Sequence, residues 1–181
     1  EFAQALTLYK IPGFAKPSLN EIIGQSRHFF VMSESLNTKF QRWSFNFFPA
    51  YRRTGARITY IKADFREVRI KLPLNWTTRN YVGSLFGGSM FAAVDPILMI
   101  MFLKNLSRDY LVWVKSGSIQ FRKPAYSTLY TTFVIDEAEI QQIREKLEHT
   151  EKTVRNYKTE LVNEEGIIHA VVEQELYFRK K

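Results

Sequence analysis

From Met90 to Leu103 the chain reads MFAAVDPILMIMFL, apolar throughout except at Asp95 and Pro96. These fourteen residues fall short of the roughly 20 needed to cross a bilayer, and a charged residue followed by proline breaks the run. A helix that is apolar all round has to be enclosed by the chain itself. The run therefore predicts a core helix of a globular domain, opened by Gly87-Gly88 and reaching about residue 106.

The flanking segments show what could enclose it. After Gly55 the apolar residues alternate: Ile58 and Tyr60, then Val68, Ile70 and Leu72, which predicts two strands or one bent strand. Residues 74–81 read as a loop. Beyond the apolar helix, Leu111–Arg122 alternates again and stops before Pro124, and Leu129, Thr131, Phe133 and Ile135 mark another strand. Asp136 with Glu139 has the spacing of a capping box, and Ile140, Ile143, Leu147 and Val154 follow at helical spacing. That predicts an inserted helix over about 137–153. Two closing strands, about 155–162 and 167–179, are joined by Asn163-Glu164-Glu165-Gly166, a hairpin turn. The expected class is α+β: an antiparallel sheet curled around one long apolar helix.

Residues 1–57 read as a separate N-terminal helical, aromatic and basic extension, with the main domain at 58–181. Ser18 and Glu21 are spaced as a helix start, and Pro49 is expected to end the helical pattern. Between Ser35 and Arg57 there is no acidic residue. Lys39, Arg42, Arg52, Arg53 and Arg57 are basic; Trp43, Phe45, Phe47, Phe48 and Tyr51 are aromatic. Such a segment either packs its rings on the core with its charges in water, the expectation adopted here, or lies on a membrane surface.

Composition narrows the chemistry. The 181 residues carry no cysteine, which removes disulfides, zinc thiolates and thiol catalysis and fits a reducing compartment such as the cytoplasm. Three scattered histidines, His28, His149 and His169, do not suggest a metal site. No secretory signal pattern is visible. The net charge of +8 permits an anionic ligand, but basic and acidic residues are interspersed over most of the chain and no nucleic-acid motif appears.

The stretch with the strongest chemical signal is Asn80-Tyr-Val-Gly83-Ser-Leu-Phe86-Gly87-Gly88, followed by Asp95 seven residues after Gly88. Glycines at a helix start leave backbone N–H groups bare and let a carbonyl come close. One well-aimed donor to a developing oxyanion is worth roughly 3 kcal/mol of barrier. Asp95 lies about two helical turns further on, a carboxylate in an otherwise apolar helix. Each residue also has a purely architectural reading. The glycines let the helix pass close to a sheet, Asp95 caps a helix restarting at Pro96, and Asn80 fixes a turn.

This pattern resembles the hot-dog-fold thioesterase superfamily, in its phenylacetyl-CoA thioesterase-like branch, over about residues 58–178. That branch carries Asn, Gly, His-Gly-Gly and Asp at these spacings, matched by Asn80, Gly83, Gly87-Gly88 and Asp95. Within it, the chain is similar to uncharacterised thioesterase-like domains with Phe-Gly-Gly, Asp-Pro in the helix and Phe-x-x-Pro after a strand, here Phe86-Gly87-Gly88, Asp95-Pro96 and Phe121-Arg122-Lys123-Pro124. The resemblance implies hydrolysis of an acyl-CoA or acyl-carrier-protein thioester. It gives Asp95 the role of base or nucleophile, Gly87 the oxyanion contact and Asn80 the orientation of water or carbonyl. Gly83, Phe86 and Gly88 would lie against the substrate.

Phe86 replaces the family's His. Ser116 and Ser118 lie near the strand position, around Val112–Val114, where related enzymes place Ser or Thr. Arg122 and Lys123 are candidates for the phosphates of coenzyme A, which enters as part of the substrate; no separate cofactor is expected. Met90, Phe91, Met99, Met101 and Phe102 either line an acyl tunnel or form plain core. The resemblance also implies a homodimer or tetramer with sites at the subunit interface. A non-catalytic acyl-CoA or lipid-binding protein is the alternative function.

Overall fold

The computed structural model describes residues 34–181; the helix start expected at Ser18–Glu21 lies outside them. Helix α1 (Leu36–Phe47) starts at Ser35, whose hydroxyl accepts from the Thr38 N–H. Pro49 does not simply end the helical pattern. It occupies the first turn of a second short helix, α2 (Pro49–Arg53), where its missing N–H costs nothing. Strands β1 (Arg57–Ile61) and β2 (Glu67–Leu72) follow, then helix α3 (Gly87–Asn105), β3 (Tyr110–Phe121), β4 (Leu129–Val134), helix α4 (Glu137–His149), β5 (Lys152–Val162) and β6 (Ile168–Lys180).

The six strands form one antiparallel sheet in the order β1-β2-β4-β5-β6-β3. It wraps α3 as expected. Ser89, Met90, Ala93, Val94, Ile97, Leu98, Met101 and Phe102 form the buried face of α3, meeting Val112, Val172, Leu176 and Phe178 from the sheet. Phe102 packs edge-on to Phe178 at 5.1 Å and tilted against Tyr157 at 5.3 Å. Met90, Met101 and Phe102 are therefore core rather than tunnel wall. Among the described residues α3 is the one helix long and apolar enough to span a membrane, and here its apolarity is used against the sheet.

The enclosure is one-sided. Gly88, Phe91, Ala92, Asp95, Met99 and Leu103 form a stripe of α3 that stays half-buried or exposed, although Phe91 and Met99 still pack against the core and the Phe91 ring reaches Gly117 of β3. The two ends of the sheet also differ. On β1, Ile58 is held by Asn46, whose Oδ1 accepts from the Ile58 N–H at 2.8 Å while its Nδ2 donates to the Ile58 carbonyl at 2.9 Å. The Ile61 N–H donates to Glu34 at 3.1 Å. That edge is sealed by side chains. Strand β3, at the other end, pairs with β6 through eleven residues and, among the described residues, has no strand on its outer edge.

Three expectations are corrected. Helix α4 stops at His149, and Val154 belongs to β5. Asp136 caps α4 through Ala138 and Glu139 N–H groups, but the Glu139 carboxylate accepts from Tyr157 Oη at 2.7 Å instead of closing a capping box. The aromatic residues of 35–57 divide: Phe45 and Tyr51 pack on the core, whereas Phe40, Trp43, Phe47 and Phe48 stand exposed along α1 and its end.

Candidate active site

Loop 80–86 is built around Asn80. Its Oδ1 accepts from the Val82 and Ser84 N–H groups at 3.1 and 3.0 Å, and its Nδ2 donates to Ser84 Oγ at 2.8 Å. Gly83 turns the loop at φ +89°, a conformation that L side chains rarely adopt. The loop is clamped on both sides, Leu85 N–H to the Ala125 carbonyl and Phe86 N–H to the Thr78 carbonyl, each 2.8 Å. Asn80 and Gly83 thus set where α3 begins, and the Asn80 amide is spent largely on the turn itself.

Phe86 is the N-cap of α3 and has no side-chain acceptor, so among the described residues no side chain caps the Gly87 and Gly88 N–H groups. Both glycines lie close under aromatic rings. A Cβ on Gly87 would lie 2.6 Å from the ring of Phe121, and one on Gly88 would meet the ring of Phe86. The two phenyls, 57% and 55% exposed, flank the helix start as an apolar mouth. Arg122 and Lys123 follow Phe121 on the turn after β3, and Arg122 donates to Gln120 at 2.7 Å.

Asp95 lies on the same face of α3 as Gly88, about 10 Å along the axis at 1.5 Å per residue. Its carboxylate is half-buried and, among the described residues, has neither an ion-pair partner nor a hydrogen bond. Burial, with no compensating charge, pushes its carboxyl above the ordinary carboxylate range. Helix α3 continues through Pro96 rather than restarting there. The carbonyls around the proline receive outside donors: Tyr51 Oη to Ala93 at 3.2 Å and Gln174 Nε2 to Asp95 at 3.0 Å.

Gln174 was not legible as a site residue. It is 2% exposed, and its Oε1 is a buried acceptor with no partner. The signal available was its strand parity: it alternates with Val172 and Leu176, both inward, so a polar side chain points at the helix.

Ser116 and Ser118 are not brought to Asp95. A bulge between Val114 and Ser116 inserts Lys115. Beyond it Gly117 pairs with the buried Gln174 and faces α3, with Phe91 Cζ 2.7 Å from where its Cβ would be. The flanking serines therefore stand on the opposite face.

A family profile described as Domain of unknown function (DUF4442) matches residues 37–177. The chain belongs to the DUF4442 family. Among curated proteins none matches. The DUF4442 domain has the hot-dog fold of several solved structures. One is a Pseudomonas aeruginosa protein of unknown function described as a probable thioesterase, at TM-score 0.73 and 21% identity over 82% of this chain and 99% of that one. A thioesterase from Haemophilus influenzae matches at TM-score 0.58 and 14% identity over 82% and 92% of the two chains. Zebrafish thioesterase superfamily member 2 matches at TM-score 0.57 and 18% identity over 80% and 99%. The DUF4442 match starts within α1, so the helices before β1 fall inside the family's domain.

Proposed function

We propose that this domain hydrolyses acyl thioesters carried by coenzyme A or an acyl-carrier protein, at a site completed by two copies of the chain. The observation that carries the reading is the outward face of α3, with bare glycine N–H groups at its start and an unpaired, half-buried Asp95 further along. The thioester oxygen sits on the N–H groups of Gly87 and Gly88, where the helix dipole favours the charge that develops in the transition state. A carboxylate accepts the proton of a water that attacks the carbonyl carbon. The C–S bond then breaks, and the thiolate leaves and is protonated. A carboxyl held above the ordinary range is a better base near neutral pH than an exposed one.

Within one chain about 10 Å separates Gly88 from Asp95, too far for both to touch one carbonyl. Two features support a second copy supplying the carboxylate: the incompletely covered apolar face of α3 and the bare edge of β3. The exposed rings of Phe86 and Phe121 suit an apolar acyl group at the mouth. The absence of cysteine fits a reducing compartment.

The test is thiol release from a panel of acyl-CoA thioesters of graded chain length. Turnover abolished by Asp95→Asn, with acyl-CoA binding retained, supports the enzyme. Wild-type protein that binds acyl-CoA and releases no thiol is instead the non-catalytic binder, and the proposal fails.

A further inference from the structure

An open cleft of about 680 Å³ lies between α2 and the strap that follows β2, lined by Phe47, Arg52, Arg53, Arg57, Asn75 and Thr77 among others. Its charge is one-sided. Arg42, Arg66, Arg69 and Arg155 each pair with a carboxylate, whereas among the described residues Arg52, Arg53 and Arg57 form no salt bridge, and no acidic residue occurs from Ser35 to Ala63. Arg52 is seated over the Phe47 ring at 5.5 Å from its centroid, which orients a planar guanidinium while leaving its N–H groups free.

The opposite wall is stiff. Thr78 is fully buried, and its Oγ1 donates to the Pro73 carbonyl at 2.6 Å and accepts from the Asn75 N–H at 3.0 Å. The Asn75 side chain accepts from the Thr77 N–H at 2.9 Å. Between these lining residues Trp76 stands 85% exposed. The next link is the Thr78 carbonyl, which accepts the Phe86 N–H at the cap of α3. The wall of the arginine cleft is thus continuous with the loop that opens the candidate active site.

Unpaired guanidiniums in a concavity concentrate an anionic ligand, and their forked donors match phosphate oxygens. An exposed indole beside them offers a stacking face for a base. We infer that the cleft between α2 and residues 73–78 binds the phosphates of a nucleotide-bearing thioester carrier of the coenzyme A type, with Trp76 against its base, while the acyl end reaches the start of α3. The inference rests on the thioesterase reading for the identity of the ligand, but not for the charge of the site.

The probe is coenzyme A itself, titrated calorimetrically into the full chain, with Arg52→Ala/Arg53→Ala and Trp76→Ala as variants checked for unaltered unfolding. Coenzyme A affinity should fall about tenfold or more in the double arginine variant and by a smaller factor in Trp76→Ala. In turnover, KM for an acyl-CoA should rise by about the same factor at little-changed kcat, with the loss confined to nucleotide-bearing substrate, because acyl-pantetheine carries no phosphate to lose. Unchanged coenzyme A affinity in the arginine variant overturns the inference. So does loss of binding to phosphatidylglycerol vesicles without loss of coenzyme A binding, which would make a lipid headgroup the ligand. The titration needs no catalysis. A protein that binds coenzyme A through the arginines but never releases thiol sinks the enzyme and leaves the cleft standing.

Discussion

The side-chain amide of Gln174 donates from Nε2 to the backbone carbonyl of Asp95 across 3.0 Å, joining the concave face of the sheet to α3 beside its proline. The contact anchors the turn from which the Asp95 carboxylate projects.

Gln174→Leu keeps the volume and removes both the donor and the orphaned acceptor. It should cost about 1 kcal/mol for the lost hydrogen bond to the Asp95 carbonyl, read by urea unfolding, while thiol release falls more than stability does. Gln174→Glu should be worse at neutral pH, because a carboxylate then faces the carbonyl. Stability should recover as the pH is lowered and the new side chain can donate.

Asp95→Asn should stabilise the fold at neutral pH. The carboxyl has a folded-state pKa above its unfolded value, so the native state binds the proton more tightly. That contribution is complete below the unfolded pKa and is lost as pH rises through the folded one. Thermal unfolding across pH should show the wild type declining over that window and the Asn variant lacking the decline. A parallel pair of curves would remove the case for a desolvated Asp95.

Gly87→Ala tests the close approach to Phe121. The added methyl meets the tip of the ring at 2.6 Å, and turning this 57% exposed ring aside should cost about 1 kcal/mol. In a Phe121→Ala background the same change should be near neutral, since Ala is a better helix residue than Gly by up to ~1 kcal/mol. A double-mutant cycle gives the coupling directly. Additive costs would mean that the ring does not decide the identity of residue 87.

Asn46→Ala removes two hydrogen bonds to Ile58 at the edge of β1. A loss of about 2 kcal/mol is expected in urea unfolding, with more association of the variant in sedimentation, because the freed N–H and C=O can pair with another chain.

The central helix and the strand sequence were legible because their signals are long: an apolar run in α3 and clear alternation in β2 and β4. The failures are local. Val154 sits seven residues after Leu147, a spacing that suits a helix face, yet the chain has already left the helix at Thr150. Ser116 and Ser118 share parity with Val112 and Val114 on paper; the bulge at Lys115 shifts that parity by one residue and turns them outward. The exposed rings of Trp43, Phe47 and Phe48 could not be told from packed ones, since both look alike without a partner surface. At the candidate site, Asn80, Gly83, Gly87, Gly88 and Asp95 were singled out because their spacing resembles that of the thioesterase branch. The division of labour was not legible: Asn80 spends its amide on its own loop.

The unequal ends of the sheet carry a consequence for assembly. A β-sheet with two free edges can add chains without limit, which is the geometry of a growing fibre. Among the described residues Asn46 and Glu34 close one end, and β3 is the edge left to accept a neighbour. If two copies join through β3, as proposed, each uses its one open edge on the other, and the twelve-strand sheet of two six-strand halves is sealed at both ends. Recognition along that edge is then self-terminating: the surface that completes the site is also the surface that stops growth at two.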